Sequence, residues 1–367
     1  MKNIKILLLI PFFLIFFSFS VFSQDYNVDG ADKVEQSLGD EASDFLNSYG
    51  ISPDSTDWID KLSAENIFTH ILSFIRNGYK APLKAGIAAL AIVITGALIS
   101  ALSVDSETSK NAVVLCSLSL AVFLCVQVYS TISAAGTAIK GVSTFMLSFV
   151  PMYAGIVAVS GGAASSIAMS SLLLGAAEGA GMLSAYVIVP LMGGYLAVSL
   201  CTAVSPLTQG NSAAESLKKI SLWVLSLIST VFLGVLGIQT TVNSAADSLA
   251  LRTSKFIVGT AVPVAGAVLS EAAATVTASM QMLKSTAGIY GIIALCLLLL
   301  PIVTELLFWR ITMMVLGIVS EILESGKISG IFKAVDSMLA LLTGIILLIG
   351  ALFIISLTVV VSTGKSL

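Results

Sequence analysis

The chain has 367 residues, of which 57% are hydrophobic and 11% are charged, and its formal net charge is −3. Soluble domains carry about 25% charged residues, so this composition excludes an ordinary soluble protein and indicates a membrane protein. The sequence has no basic patch of the kind that nucleic-acid-binding surfaces need. We therefore expect an all-α, polytopic membrane protein with membrane lipid around it and no nucleic-acid partner.

The N-terminus has the pattern of a secretory signal. Lys2 and Lys5 precede a long apolar run, and Val21 and Ser23 suit the small-residue positions of a cleavage site. This pattern predicts a cleaved signal peptide over residues 1–23, with an uncleaved anchor helix as the alternative. In both cases the positive charge at the start predicts that the following residues lie outside the cytoplasm.

Residues 24–84 are polar and acidic, with eleven acidic and five basic side chains. Within them, apolar residues at helical spacing follow Ser63 and end before Gly78, which predicts an amphipathic helix over 57–78. We expect an extracytoplasmic helical region whose last helix lies on the outer bilayer surface or packs on a partner.

Residues 85–367 are predicted to form a multi-span transmembrane domain. If the chain is outside at residue 84, five crossings place Lys218 and Lys219 in the cytoplasm, as the positive-inside tendency favours. The last span then leaves the C-terminus outside. The apolar segments are 85–104, 111–131, 144–159, 165–178, 181–204, 220–239, 256–269, 271–283, 289–308 and 337–361.

Residue types that usually carry catalysis are scarce. The chain has one histidine, and its four cysteines lie in apolar stretches without a CxxC pair. It contains no HExxH metal motif and no GxxxxGK[ST] phosphate-binding loop. The sequence therefore predicts a protein that is not an enzyme and has no catalytic residue, cofactor or bound metal.

Two parts of the domain are similar to each other at an offset of about 112 residues. Val150-Pro151 corresponds to Val262-Pro263, and the basic residue before each pair, Lys140 or Arg252, is also kept. These matches predict repeat units at about 111–219 and 220–333, followed by the span at 337–361. Repeats with proline-interrupted apolar segments at matching positions are typical of transporters.

The segment around Pro263 combines features that lipid does not tolerate. Proline frees backbone carbonyl groups, which must find partners in protein or beside a water-filled cavity. Gly259 and Gly266 allow another helix to approach, and Glu271 and Glu178 are carboxylates within apolar runs. We expect these residues to face the protein interior. The candidate gate and packing residues are Pro151, Glu178, Lys255, Gly259, Pro263, Gly266, Glu271, Lys284 and Gly288.

The run "LRTSKFIVGTAVPVAGAVLSEAAATVTASMQMLKSTAGIYGI", residues 251–292, resembles the signature region of the stage III sporulation protein AE family of endospore-forming bacteria. The specific part is the K-F-I-x-G-x-x-V-P-V-x-G pattern, followed by Lys284 and Gly288. The N-terminal signal and the multi-span body match over most of the chain. Glu271 departs from the aspartate expected there, and the tail after Val361 is short.

This resemblance implies a permease-like subunit of a secretion-like channel complex that links mother cell and forespore. Its implied partners are other stage III sporulation membrane proteins and their cytoplasmic ATPase. The implied location is the mother-cell-derived membrane, with the N-terminal region in the intermembrane space. Two alternatives remain at this point, a stand-alone secondary transporter of a small solute and a non-conducting scaffold.

Overall fold

The structure, a computed structural model, describes residues 31–38, 40–53, 58, 72–102, 106–159, 164–204, 208–258, 266–323 and 326–363. It does not describe the side chains of 238–285, nor those of shorter stretches at several helix ends. The predicted signal peptide at 1–23 and most of the predicted amphipathic helix lie outside these residues.

Every regular element in the described residues is helical, which confirms the all-α class. Residues 72–78 form a further helical stretch directly before α3. The helices are α1 (Ala31–Gln36), α2 (Asp40–Ser48), α3 (Lys80–Leu102), α4 (Ser106–Val159), α5 (Ala164–Leu183), α6 (Val189–Val204), α7 (Thr208–Val258), α8 (Gly266–Ile322) and α9 (Gly326–Thr363).

The described helices include 6 that are long and apolar enough to cross a membrane. A span needs about 20 residues that are mostly apolar, and each of the six segments is longer than that. The prediction of a polytopic helical membrane protein is therefore confirmed. The six segments are Leu72–Leu102, Asn111–Ile156, Leu172–Val204, Ser212–Gly237, Thr286–Ile322 and Ile328–Val359.

The helices are longer than the sequence segments that predicted them. The segments 111–131 and 144–159 belong to one helix, α4, of 54 residues. The residues between them include serine, threonine, alanine and glycine but no proline, so nothing interrupts the backbone hydrogen bonds. The expected separation of these two spans is wrong.

The expected breaks after 165–178 and between 271–283 and 289–308 are also absent. The first stretch continues through a π-helical turn at Ser184–Ile188 into α6, and the other two segments both lie in α8. In the π turn the Val189 amide bonds the Ser184 carbonyl, one residue further back than in an α-helix. This wider turn lies directly before Pro190, which has no amide hydrogen to donate to the preceding turn of the helix.

The last two helices form an antiparallel hairpin along their length. Ion pairs and closely packed glycines fix its register. The ion pairs join Arg310 to Asp336 and Glu321 to Lys333. The glycines have no space for a side chain, since a Cβ on Gly288 would lie 2.7 Å from Val361 and a Cβ on Gly350 would lie 2.6 Å from Leu299. Helix α9 is central, since 56% of its most apolar window is buried, against 17% for Ser212–Gly237 in α7. Helix α9 therefore forms the axis around which the other helices pack.

The N-terminal elements pack onto this bundle. Gly78 lies against Thr304 of α8, Gly86 lies against Thr312, and α3 then pairs with the start of α4 through Gly96. Helices α1 and α2 and the residues after them add to the same buried core Val34, Leu38, Phe45, Leu46, Ile51 and Trp58. The predicted repeat at 111–219 and 220–333 stays a prediction.

Candidate functional site: a buried helix junction

Helices α4, α5 and α9 meet where Gly181 removes a side chain from their common interface. A Cβ at Gly181 would lie 2.7 Å from the Ser143 hydroxyl of α4 and 3.3 Å from the Phe353 ring of α9. Only a residue without a side chain allows three backbones to approach this closely. We refer to the contact of Ser143, Gly181 and Phe353, together with Glu178, as the junction.

Glu178 lies one helical turn before Gly181 and is buried, with 8% of its surface exposed. Each of its carboxylate oxygens exposes less than 1 Å² and has no hydrogen bond within the described part of the chain. The Ser143 hydroxyl beside it is equally buried, lies close enough to the carboxyl group to act as its hydrogen-bonding neighbour, and has no other hydrogen-bonding partner among the described residues. A carboxyl group and a hydroxyl group are thus enclosed together between apolar helices.

Aromatic rings extend from the junction along α4. Phe145, Phe149 and Tyr153 follow at intervals of four residues, with ring centroids 5.4 and 5.9 Å apart. Tyr290 of α8 stacks on Phe149 at 6.3 Å. Gly291 makes room for this contact, since a Cβ there would lie 2.7 Å from the Phe149 ring. The stack joins α4 to α8 at the level of the junction.

Three of the sequence-predicted residues reach this end of the bundle. Glu178 is in the junction, Gly288 contacts Val361, and Pro151 lies in α4 two residues before Tyr153, whose hydroxyl donates to the Val361 carbonyl at 3.3 Å. Pro151 is exposed, so it does not line the junction itself. The other six, Lys255, Gly259, Pro263, Gly266, Glu271 and Lys284, have side chains outside the described residues.

Sequence reasoning missed most of the junction. Ser143, Gly181 and Phe353 come from three different helices, and no local pattern relates them. The signal that did point here was the run of small residues around Glu178, which indicated tight packing. Ala177 and Ala180 are buried as that pattern predicts.

A half-buried carboxylate, Glu305 of α8, has partners. Its Oε1 accepts hydrogen bonds from the Thr131 hydroxyl of α4 at 2.8 Å and from the Trp309 indole at 3.3 Å. Arg310 of α8 has a partner too, since its Nε lies 3.2 Å from the carboxylate of Asp336 in α9. These charges serve helix pairing, whereas Glu178 has no such role among the described contacts.

The outer face of α4 changes character along its length. Between residues 115 and 129 its exposed side chains are mostly apolar, including Leu118, Val122 and Val126, with Ser119 as a polar exception. The exposed positions that follow at helical spacing carry hydroxyl groups and one ammonium group, and we call them the polar stripe. The stripe consists of Ser130, Ser133, Thr137, Lys140 and Thr144.

Among the described side chains, no three histidine, cysteine, aspartate or glutamate residues converge as metal ligands would. The chemistry available at the junction is therefore that of a carboxyl group beside a hydroxyl group. A protonated carboxyl group can donate a hydrogen bond to the hydroxyl oxygen, and the hydroxyl group can donate one to a carboxyl oxygen.

The family described as Stage III sporulation protein AE matches residues 56–364 of this chain. A curated relative, Stage III sporulation protein AE of Bacillus subtilis (strain 168), is 26% identical over 262 residues. That alignment covers 71% of this chain and 65% of the relative, so the chain matches just under two thirds of the relative's length. No solved structure matches the chain. This chain, whose described residues include six helices long and apolar enough to cross a membrane and whose residues 56–364 match this family, belongs to the stage III sporulation protein AE family.

Proposed function

We propose that this protein is a permease-like subunit of a secretion-like channel complex that links mother cell and forespore during endospore formation. Its partners in this proposal are other stage III sporulation membrane proteins and their cytoplasmic ATPase. It resides in the mother-cell-derived membrane with its N-terminal region in the intermembrane space, and it is not an enzyme. Family membership supports the setting, and the polar stripe of α4 supports the channel role.

The polar stripe lies on the outside of a helix whose inner face is apolar. Hydroxyl groups alone would be compatible with lipid, because Thr137 and Thr144 bond carbonyl groups of their own helix, at 3.2 and 3.0 Å. A charge such as that of Lys140 is disfavoured against lipid, by about 2.5–3.5 kcal/mol at the bilayer centre on insertion scales and by less toward the surface. The ammonium nitrogen of Lys140 lies 4.3 Å from the centre of the Tyr186 ring, which offsets only part of that cost.

A polar surface of this kind is stable when it faces water or another protein. The apolar part of the outer face of α4, residues 115–129, is about 20 Å long at 1.5 Å per residue, and the stripe begins directly after it. The exposed face of α7, by contrast, carries large apolar side chains such as Trp223, Val231 and Leu233. We infer that α7 faces lipid and that the stripe lines an aqueous path completed by neighbouring subunits.

The test uses a bulky side chain placed in the stripe. We expect Thr137→Trp to block forespore development while protein level and copurification with other stage III proteins stay normal. The matched control is Val126→Trp, three turns earlier on the same outer face, where an aromatic side chain in lipid is tolerated. Normal spores from the Thr137→Trp strain would contradict the conduit.

A stand-alone secondary transporter is the second candidate, and the buried, unpartnered carboxyl group of Glu178 favours it. A transporter predicts activity in a strain that lacks the other stage III proteins, whereas a channel subunit predicts none. A scaffold predicts instead that Thr137→Trp and Glu178→Gln are both silent. Copurification from sporulating cells, followed by reconstitution of the isolated chain, separates the three.

A further inference from the structure

The enclosed carboxyl group of Glu178 has a consequence that does not depend on the proposed function. An ionised carboxylate without a partner is so costly in an apolar interior that such groups neutralise instead. Both oxygens of Glu178 are enclosed and unpartnered in the described part of the chain. We propose that the junction is a proton-binding site: Glu178 carries a proton while α4, α5 and α9 are packed together, and its release opens the junction to water.

Ser143 is the group that fits a protonated carboxyl. A neutral carboxyl group has one hydrogen to donate, and a serine hydroxyl can accept it and can donate in return. The two groups are neighbours, and neither has another hydrogen-bonding partner among the described residues. A proton on Glu178 therefore satisfies two buried polar groups at once, whereas an ionised Glu178 leaves a charge with a single donor.

No described cation replaces the proton. Helix α5 packs on α4, α7, α9 and the π turn. On α4 the nearest basic group, Lys140, lies over the Tyr186 ring, and Tyr153 is bonded to Val361. Asp247, Arg252 and Lys255 of α7 lie beyond the residues whose side chains are described. Of the remaining charged groups on these helices, Glu107, Glu215, Lys219, Lys333 and Asp336 are exposed or paired away from the junction, and Lys218 is half-buried beside Lys219. The side chains of Lys110 and Lys327 lie outside the described residues.

Opening follows from the loss of the proton. An ionised Glu178 needs water, and Gly181 leaves no space for water while Ser143 and Phe353 are in contact with it. The helices must therefore separate before the charge is hydrated. Acidic conditions favour the packed form, and the packed form is lost as pH rises.

The test measures solvent access to the junction in the full-length protein with its native cysteines replaced. Ser184→Cys, one turn after Gly181 and equally buried, serves as reporter for a water-soluble thiol reagent, in a Glu178 background and in a Glu178→Gln background. Because glutamine imitates the neutral carboxyl, the ratio of the two labelling rates removes the pH dependence of the thiol itself. We expect this ratio to rise by about tenfold for each pH unit over the range in which opening releases the proton, and to level off once Glu178 is ionised in the packed form as well.

Matched controls make the outcome specific. Glu305→Gln alters a half-buried carboxylate that has partners and should leave the labelling rate at every pH unchanged. Amide hydrogen exchange over residues 172–188, in the unmodified chain and in Glu178→Gln, repeats the comparison if the cysteine variant does not fold. A ratio that stays near unity at all pH values, with equal exchange in both proteins, would overturn the proposal. Protection by sodium ions at constant pH would overturn it too, since the bound ion would then not be a proton.

Discussion

A methyl group added at Gly291 meets rigid neighbours. It would lie 2.7 Å from the Phe149 ring and 3.0 Å from Leu357, and both side chains are enclosed in the bundle. Overpacking of this kind costs about 1–3 kcal/mol. We predict that Gly291→Ala lowers the thermal unfolding midpoint of the purified protein in detergent, although alanine is the better helix former.

Gly317 in the same helix provides the control for that change. A Cβ there meets only Phe332, at an ordinary contact distance of 3.8 Å. Gly317→Ala should therefore leave the midpoint unchanged or raise it slightly. Equal effects of the two substitutions would show that helix propensity, and not the contact with Phe149, sets the cost.

The carboxylate of Glu305 is expected to contribute through its hydrogen bonds. Glu305→Ala leaves the Thr131 hydroxyl and the Trp309 indole without an acceptor, which costs about 1–3 kcal/mol of unfolding free energy. Glu305→Gln keeps an oxygen acceptor and should cost less. Thermal unfolding in detergent compares them, and a glutamine variant as unstable as the alanine variant would indicate that the charge matters more than the hydrogen bonds.

At the scale of elements, the hairpin of α8 and α9 depends on a half-buried ion pair. Arg310 and Asp336 are 33% and 30% exposed, whereas Lys219 and Glu215 on α7 are 79% and 71% exposed. Removing one partner of an enclosed pair leaves an uncompensated charge, and exposed pairs contribute about 0–1 kcal/mol. We predict that Asp336→Asn destabilises the protein clearly more than Glu215→Gln does.

The measurement for this pair is the unfolding midpoint in detergent at low and at high salt. The effect of Asp336→Asn should persist at high salt, because partly buried charges are screened less than exposed ones. An Asp336→Asn variant as stable as the unaltered protein would mean that lipid or detergent headgroups satisfy Arg310 by themselves.

The elements also show where sequence patterns mislead. Hydropathy located every long apolar segment, but it divided α4, the α5–α6 helix and α8 into pieces. Glycine and serine lower apolar character without ending a helix. In this bundle they serve close approach, as Gly181 and Gly288 do. Only contacts between helices distinguish a break from a packing position, and these contacts are not local in sequence.

At the scale of the whole molecule, the structure has three long helices before Ser212, namely α3, α4 and the continuous α5–α6 helix. The sequence predicted five crossings over the same part of the chain. Both numbers are odd, so the predicted side of Ser212 is unchanged. In a cysteine-free background we predict that Ser212→Cys is labelled only from the cytoplasm and Ser254→Cys only from outside. Labelling of Ser212→Cys from outside would mean either that the assigned orientation is reversed or that one of the apolar helices is re-entrant.

Composition and periodicity alone determined that this chain is a helical membrane protein, because lipid forces backbone groups to bond within each helix. The signature run at 251–292 alone indicated its family. Tertiary structure decided which charges in apolar runs have partners: the half-buried Glu305 and Arg310 are bonded across helices, and the buried Glu178 has only the Ser143 hydroxyl beside it in the described residues. All three look alike in sequence, as single charges in apolar runs. They differ because pairing depends on which neighbouring helix places a donor at the same level, and that is a property of packing.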